Sequence, residues 1–392
     1  MPRILILDAN QRSALACMRS LGRMDGLELL AADSLPSALA GQSRFCRGYS
    51  QHPSVRETPD AFIDWLVDCQ QREGIDLLFP MTEFTSQLIL MHNQRHPEDA
   101  LALPFADAER LLSLGDKGQL VERATRLGIT VPLSRHYARA VDVDASTIET
   151  YPVVIKPCRS HLWLGDRWLT TSVQIARDRA ELETCLATSP WLQDHDFMLQ
   201  RFITGHGGGV FALYNRGQAV CFFAHRRLRE KPPQGGVSVL SESVVPDPRM
   251  QQAARELLDD AGWHGVAMVE FRIDESGKAW LMEVNTRFWG SLQLAIDAGV
   301  DFPQLLYRAT RGEPLPEMSG YRTGQRLRWL LGDLDSLYLV LRDRRYGIGD
   351  KLRRLLAFFT PHPFSTRHEV NRWSDPMPAW AELKQYIADL RR

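Results

Sequence analysis

The sequence predicts a mixed α/β and α+β protein, and three observations lead there. Short apolar runs alternate with helical patterns up to about residue 105, the signature of βαβ units and a parallel, Rossmann-like sheet. Two apolar strands split by a Gly-containing turn follow at 266–284, an antiparallel hairpin. After about residue 315 the chain becomes rich in Arg, Leu and aromatic residues and reads as a mostly helical extension.

Length and composition narrow the field. At 392 residues the chain exceeds one compact core, so several domains are expected. Lys plus Arg (47) balance Asp plus Glu (48), which gives no reason to propose nucleic acid as a partner. No run approaches the ~18 consecutive apolar residues that cross a bilayer, and the apolar start Ile4–Leu7 ends at Asp8, too short for a signal segment. The cysteines are scattered with no C-x-x-C pair, which points to free thiols and a cytoplasmic setting.

In order, Arg3–Asp8 reads as a buried strand, Ser13–Leu21 as a helix and Leu27–Ala32 as a strand. Ala61–Gln71 is again helical, and Ile75–Pro80 a third strand. Asp8-Ala9-Asn10-Gln11 stands where a dinucleotide-binding G-x-G-x-x-G would be and holds no glycine, which argues against dinucleotide binding. Asp107–Leu127 reads as one helix with Asp116-Lys117 inside it, closing at Gly128. Tyr151–Pro157 is a β-rich run containing Lys156, and Phe197–Ile203 and Val210–Tyr214 are strands around Gly205 and Gly207–Gly209. Asn215–Gln218 is a turn into the strand Ala219–Ala224; Pro248–Ala261 is helical.

The hairpin of Val266–Ile273 and Ala279–Val284 is the most informative segment. A turn centred on Ser276-Gly277 pairs residues whose numbers sum to 553, placing Glu270 opposite Glu283 and Asn285 two residues on, on the same face. Opposed carboxylates lie about 5 Å apart and repel. With apolar neighbours Val269, Phe271, Met282 and Val284, the pair makes sense if a cation joins it or one member is protonated. Two carboxylates and an amide oxygen make a hard site suited to Mg²⁺ shared with phosphates. The competing readings are two solvated glutamates on an edge hairpin, or a bulge that slips the register. Arg287 follows, able to hold a carboxylate or phosphoryl oxygen bidentately. His225, Arg226 and Arg229, in a cationic run ending a strand before a Pro- and Gly-rich loop, are candidates for an anionic substrate.

Met282–Ser291 resembles the closing metal motif of ATP-grasp enzymes, closest to the carboxylate–amine ligase and carbamoyl-phosphate-synthase-like branch, and Gly265–Phe271 resembles the strand bearing that family's other metal carboxylate. The resemblance implies an N-terminal Rossmann-like pre-ATP-grasp domain (1–105), a small lobe with linker helix (106–195), a large lobe with the metal site (196–315) and the C-terminal extension (316–392). It implies ATP and Mg²⁺, or Mn²⁺, with metal ligands Glu270, Glu283 and Asn285. Lys117 and Lys156 match the family's phosphate-holding lysines, and Lys156 and Arg287 its catalytic cations. Leu199–Ile203 resembles its adenine-contacting segment, here Gln200, Arg201, Phe202 and Ile203, where many relatives carry a Glu. The phosphate-covering loop departs from the family, since Arg159–Asp166 holds a single glycine; phosphate would have to bind through Arg159, Ser160 and His161, or the loop is repurposed.

The implied function is ligation: a carboxylate activated as an acyl phosphate, an amine attacking it, ADP and phosphate released. The alternatives are an ATP-grasp carboxylase or carbamoyl-phosphate-forming enzyme, which shows no biotin-carrier or glutaminase segment here, and a non-catalytic nucleotide-binding module. Small-molecule carboxylate and amine are the expected partners, and a homodimer stays open. Lys351–Phe359 reads as a basic amphipathic helix packed on its parent domain with its cations solvated.

Overall fold

The computed structural model describes residues 1–159, 161–164, 168–233, 235–318, 320–360 and 366–391. Its first sheet is parallel: β1 (Arg3–Ile6), β2 (Glu28–Asp33), β3 (Gly48–Gln51) and β4 (Leu77–Phe79), in the order β3-β2-β1-β4. Both faces are buried, as βαβ crossovers require. Ile4 and Ile6 enter the core shared with the large sheet below, while Leu5 and Leu7 pack on Phe62 and Leu66 of the helix Pro59–Glu73. Where a dinucleotide fingerprint would sit, Asp8 turns at φ +52° and its carboxylate accepts from Met81 N, Thr82 N and the Thr85 hydroxyl. It thereby ties the end of β1 to the start of the helix Glu83–Arg95, and burial raises its pKa despite these donors.

The expected helix 107–127 is two helices, Ala108–Gly115 and Lys117–Arg126. The break is Asp116, whose carboxylate accepts from Gly118 N and Gln119 N as a new N-cap. Lys117 therefore starts a helix instead of lying inside one. An antiparallel sheet follows: β5 (Ser134–Tyr137), β6 (Val153–Pro157), β9 (Gln174–Ala176) and β10 (Phe197–Arg201), ordered β5-β10-β6-β9, with the hairpin β7 (His161–Trp163) and β8 (Trp168–Thr170) beside it.

The large sheet holds β11 (His206–Asn215), β12 (Gln218–Lys231), β13 (Val237–Val244), β14 (Gly265–Ile273), β15 (Ala279–Asn285), β16 (Arg326–Arg328) and β17 (Thr366–His368), ordered β15-β14-β11-β12-β13-β16-β17. Two sequence readings are corrected here. The glycines Gly207–Gly209, read as a cluster between two strands, lie within β11, and the strand read as Ala219–Ala224 runs on through the cationic run to Lys231 as β12. One face packs through Phe211, Met268 and Trp289 toward the first sheet, where Phe79 stacks on Phe288; the other carries Tyr214 against the helix Pro248–Asp260.

The extension is not a separate appendage, because β16 and β17 complete the large sheet. Buried ion pairs fasten it to the body: Arg19 to Asp375 at 2.8 Å, Arg372 to Asp297 at 2.5 Å, and Arg12 to Glu369. The helix Ile348–Phe359 departs from its reading. Arg354 turns inward onto Asp333 at 2.6 Å, while Leu352, Leu356 and Phe359 are exposed and Arg353 is solvated.

Candidate active site

Hairpin geometry builds the site. Near the turn, Ile273 pairs with Ala279 and Phe271 with Leu281, so the numbers sum to 552 and not 553. A bulge at Met282 adds one residue, and beyond it Glu270 faces Glu283 and Met268 faces Asn285. The expected opposition thus depends on the bulge. Gly277 takes φ +80°, and Asp274 accepts from Ser276 N and Lys278 N to close the turn.

The carboxylates are not left to repel. Glu270 accepts from Arg227 Nη2 at 3.0 Å and from Asn285 Nδ2 at 2.9 Å. Lys117 Nζ stands 3.8 Å from Glu283, and Lys156 Nζ donates to the Met282 carbonyl at 3.0 Å. For Glu270, burial and then the Glu283 charge raise the pKa, and Arg227 only partly offsets them. Burial pushes Glu283 up too, but Lys117, Lys156, the Asn285 amide and Arg287 together bring it below the usual range. Of the two, Glu283 is the one whose surroundings favour the charged form. Burial lowers Lys156 to about 8, with the neighbouring Glu283 opposing the shift and Lys117 adding to it.

Arg287 reaches Asn285 Oδ1 at 3.4 Å and donates to the Phe288 carbonyl at 3.0 Å. Two charged residues join that sequence reasoning missed. Glu83, at the start of the helix after β4, is drawn to Lys117 and Arg287, though its burial keeps its pKa raised. Its signal was position: Thr82-Glu83 follows the carboxyl end of a parallel strand, where α/β folds place ligands. Arg227 was passed over for its neighbours. It crosses the bare surface of β11, where a Cβ on Gly207 would stand 3.6 Å from Arg227 Nη1. Strand alternation alone puts residue 227 on the face of 225, pointing away from 226.

His225 is buried on that face, its Nδ1 3.1 Å from Ser291 Oγ and its ring against Phe211; burial, then Arg227, lowers its pKa to about 3, so it is neutral. The structure does not bring Arg226 and Arg229 into the cluster. Arg226 pairs with Glu242 on the opposite face. A bulge between Arg227 and Arg229 turns Arg229 to that face as well, where it binds Asp333 at 2.6 Å. In the small sheet, register places Gln200 on the face of Lys156, held by Ser134 Oγ at 2.9 Å. The Arg201 side chain lies on the other face, and Phe202 and Ile203 continue from β10 toward β11. Arg159 pairs with Asp116 at 3.1 Å; Ser160, Gly165 and Asp166 lie outside the described residues.

Among the described residues, no three His, Cys, Asp or Glu side chains gather as a metal cage. Two facing carboxylates and an amide form an open oxygen site, which fits a hard cation shared with phosphate oxygens. Asn285 donates to Glu270 here, so ligation needs its oxygen turned to the pair.

The antiparallel small sheet and the large sheet meet over this acidic hairpin, where Lys156 of β6 donates to the Met282 carbonyl of β15. Residues 193–332 match a family model described as ATP-grasp in the biosynthetic pathway with Ter operon. The fold is shared with an L-amino acid ligase from Bacillus licheniformis (17% identity, 79% of this chain and 74% of that one, TM-score 0.61). It is shared too with a biotin carboxylase from Campylobacter jejuni in complex with βγ-ATP (16%, 82% and 74%, 0.65). A third is N5-carboxyaminoimidazole synthetase from Staphylococcus aureus (13%, 83% and 80%, 0.61). A search of curated protein sequences finds no match. Among the described residues, no helix is long and apolar enough to cross a membrane.

Proposed function

We propose that this chain is an ATP-dependent ligase that activates a carboxylate as an acyl phosphate and couples it to an amine, releasing ADP and phosphate. The observation that carries this reading is the convergence of Lys117, Lys156 and Arg287 on the facing pair Glu270 and Glu283. Solved structures of the same fold include a ligase and carboxylases, which supports ATP-driven carboxylate chemistry in general.

Glu270, Glu283 and Asn285 would hold Mg²⁺ or Mn²⁺, which would supply positive charge to offset that of the nucleotide phosphates. Lys117 and Lys156, beside Glu283, would hold the phosphates, and the Phe202–Ile203 backbone with Gln200 would line the adenine end. The substrate carboxylate oxygen attacks the γ-phosphorus while the bond to ADP breaks. The amine nitrogen then attacks the acyl carbon, loses its proton, and phosphate leaves. Arg287 stabilises the oxygen charge that develops at both stages. His225, neutral and on the same face, would act without carrying charge. No covalent enzyme nucleophile is needed; positioning and fixed charge lower the barrier.

The test is incubation with ATP, Mg²⁺, pooled carboxylates and hydroxylamine. Hydroxamate with matching ADP and phosphate is the expected result. AMP with pyrophosphate would mean adenylation and contradict it, ADP formation dependent only on bicarbonate would transfer the reading to a carboxylase, and nucleotide binding without turnover would leave a binding module.

A further inference from the structure

The opposite face of the large sheet carries a second charge cluster that the proposed reaction does not use. Asp333, fully buried at the start of the helix Leu330–Arg342, receives three guanidinium groups: Arg229 and Arg354 at 2.6 Å and Arg328 at 2.7 Å. Three cations on one carboxylate leave a net double positive charge in a poorly solvated place, which is costly unless an anion completes it. The hydrogen-bond inventory shows the same deficit. Arg229 Nε, Arg328 Nη2 and Arg354 Nη1 are buried and have no acceptor among the described residues, although buried donors are nearly always satisfied. Arg328 itself is only 4% exposed and is also capped by the Phe358 ring at 4.2 Å. Burial lowers the Arg229 pKa to about 10, with Arg354 and Arg328 repelling it against the pull of Asp333.

Arg229 and Arg354 open onto a cavity of about 640 Å³ between β12 and the helices Leu330–Arg342 and Ile348–Phe359. Arg345, Arg353 and Tyr346 lie on its wall, with Leu228 and Val340 as apolar surface and Glu230 and Asp350 as its carboxylates. We propose that this cavity binds a phosphoryl group, free or carried by a small organic molecule, with Arg229 and Arg354 as the direct donors. A dianion matches the net charge, and phosphate oxygens suit forked guanidinium donors. The apolar wall and the volume, far beyond one phosphate, favour an ester over the free ion. Glu230 stands on the wall and pairs with Arg227 at 3.3 Å, which in turn holds Glu270, so the site is joined to the acidic hairpin by two ion pairs.

The test titrates the full-length chain with inorganic phosphate and with ribose 5-phosphate by calorimetry, in the wild type and in Arg354→Gln, Arg345→Ala and Glu283→Ala. Arg354→Gln should weaken binding at least about tenfold, the usual worth of a charged hydrogen bond. Arg345, whose side chain is 73% exposed, keeps the fold intact when replaced, and Arg345→Ala should weaken binding about threefold by loss of nearby charge. Glu283→Ala should bind like wild type, because its site is on the other face. Tighter binding of the ester identifies an organic carrier and equal affinities identify free phosphate; both support the site. Absence of binding by either probe, affinity unchanged in Arg354→Gln and Arg345→Ala, or binding lost only in Glu283→Ala would overturn it.

Discussion

Arg227 Nη2 lies 3.0 Å from Glu270 Oε2, so the carboxylate assigned to a cation is neutralised from its own sheet. Each partner is about one-fifth exposed. Breaking such a pair leaves a buried carboxylate uncompensated, at a cost of about 1–2 kcal/mol once solvent screening is allowed for. Arg227→Met should therefore lower the Tm of the ligand-free protein, and Mg²⁺, freed from a competing cation, should raise the Tm of the variant more than that of the wild type. An equal Mg²⁺ response, measured by thermal unfolding, would separate Arg227 from the cation site.

Lys156 sets a pH dependence. With its pKa lowered to about 8 by burial, the free protein loses this proton as pH rises through 8. Bound phosphates would hold the proton on and raise the pKa, so nucleotide binding takes up a proton above pH 8. ADP affinity is expected to be flat below pH 8 with respect to this group and to fall above it. Calorimetry at pH 9 in buffers of different ionisation enthalpy should show proton uptake in the wild type and none in Lys156→Met. Equal uptake in both would remove Lys156 from the phosphate site.

Arg226 and Arg229 share the face of β12 turned away from the acidic hairpin, and their different partners give them different predictions. Arg226 is 62% exposed, and Glu242 keeps a second partner in Arg326 at 2.9 Å. Arg226→Ala should leave kcat/KM within about twofold and cost under about 1 kcal/mol of stability. Arg229→Ala should lower the Tm through Asp333 with little change in KM for ATP. Steady-state kinetics with melting curves decide, and a large loss of kcat/KM in Arg226→Ala would contradict this placement.

Asp116 holds the helix that begins at Lys117. Removing its cap costs about 1 kcal/mol, and Asp116→Ala should raise KM for ATP more than it lowers kcat, because it loosens Lys117, the proposed phosphate ligand. A drop confined to kcat would point to another role.

Much of this was legible in residue order, and the misses have physical causes. Ile4–Leu7 alternates buried faces and reads directly as a strand, whereas Gly48–Gln51 has no apolar run and exists because β2 offers it an edge. Glu270 and Glu283 were found by counting from the turn, yet the count closes through the bulge at Met282, which no local pattern marks. Asp116 caps one helix and ends another, and a continuous apolar period hides that break. Arg226 and Arg229 were chosen for their charge at the end of a strand; alternation sends Arg226 to Glu242, and a bulge sends Arg229 to Asp333, more than a hundred residues away. Tertiary partners decide such points, and composition cannot supply them.

The most direct measurement is electron paramagnetic resonance of Mn²⁺ titrated into the protein with a non-hydrolysable ATP analogue. Wild type should bind Mn²⁺ in the presence of the analogue, with Glu270→Gln weakened and Glu283→Ala losing the bound signal while circular dichroism shows both folded. Wild-type Mn²⁺ binding by folded Glu283→Ala would contradict a cation held between these two strands.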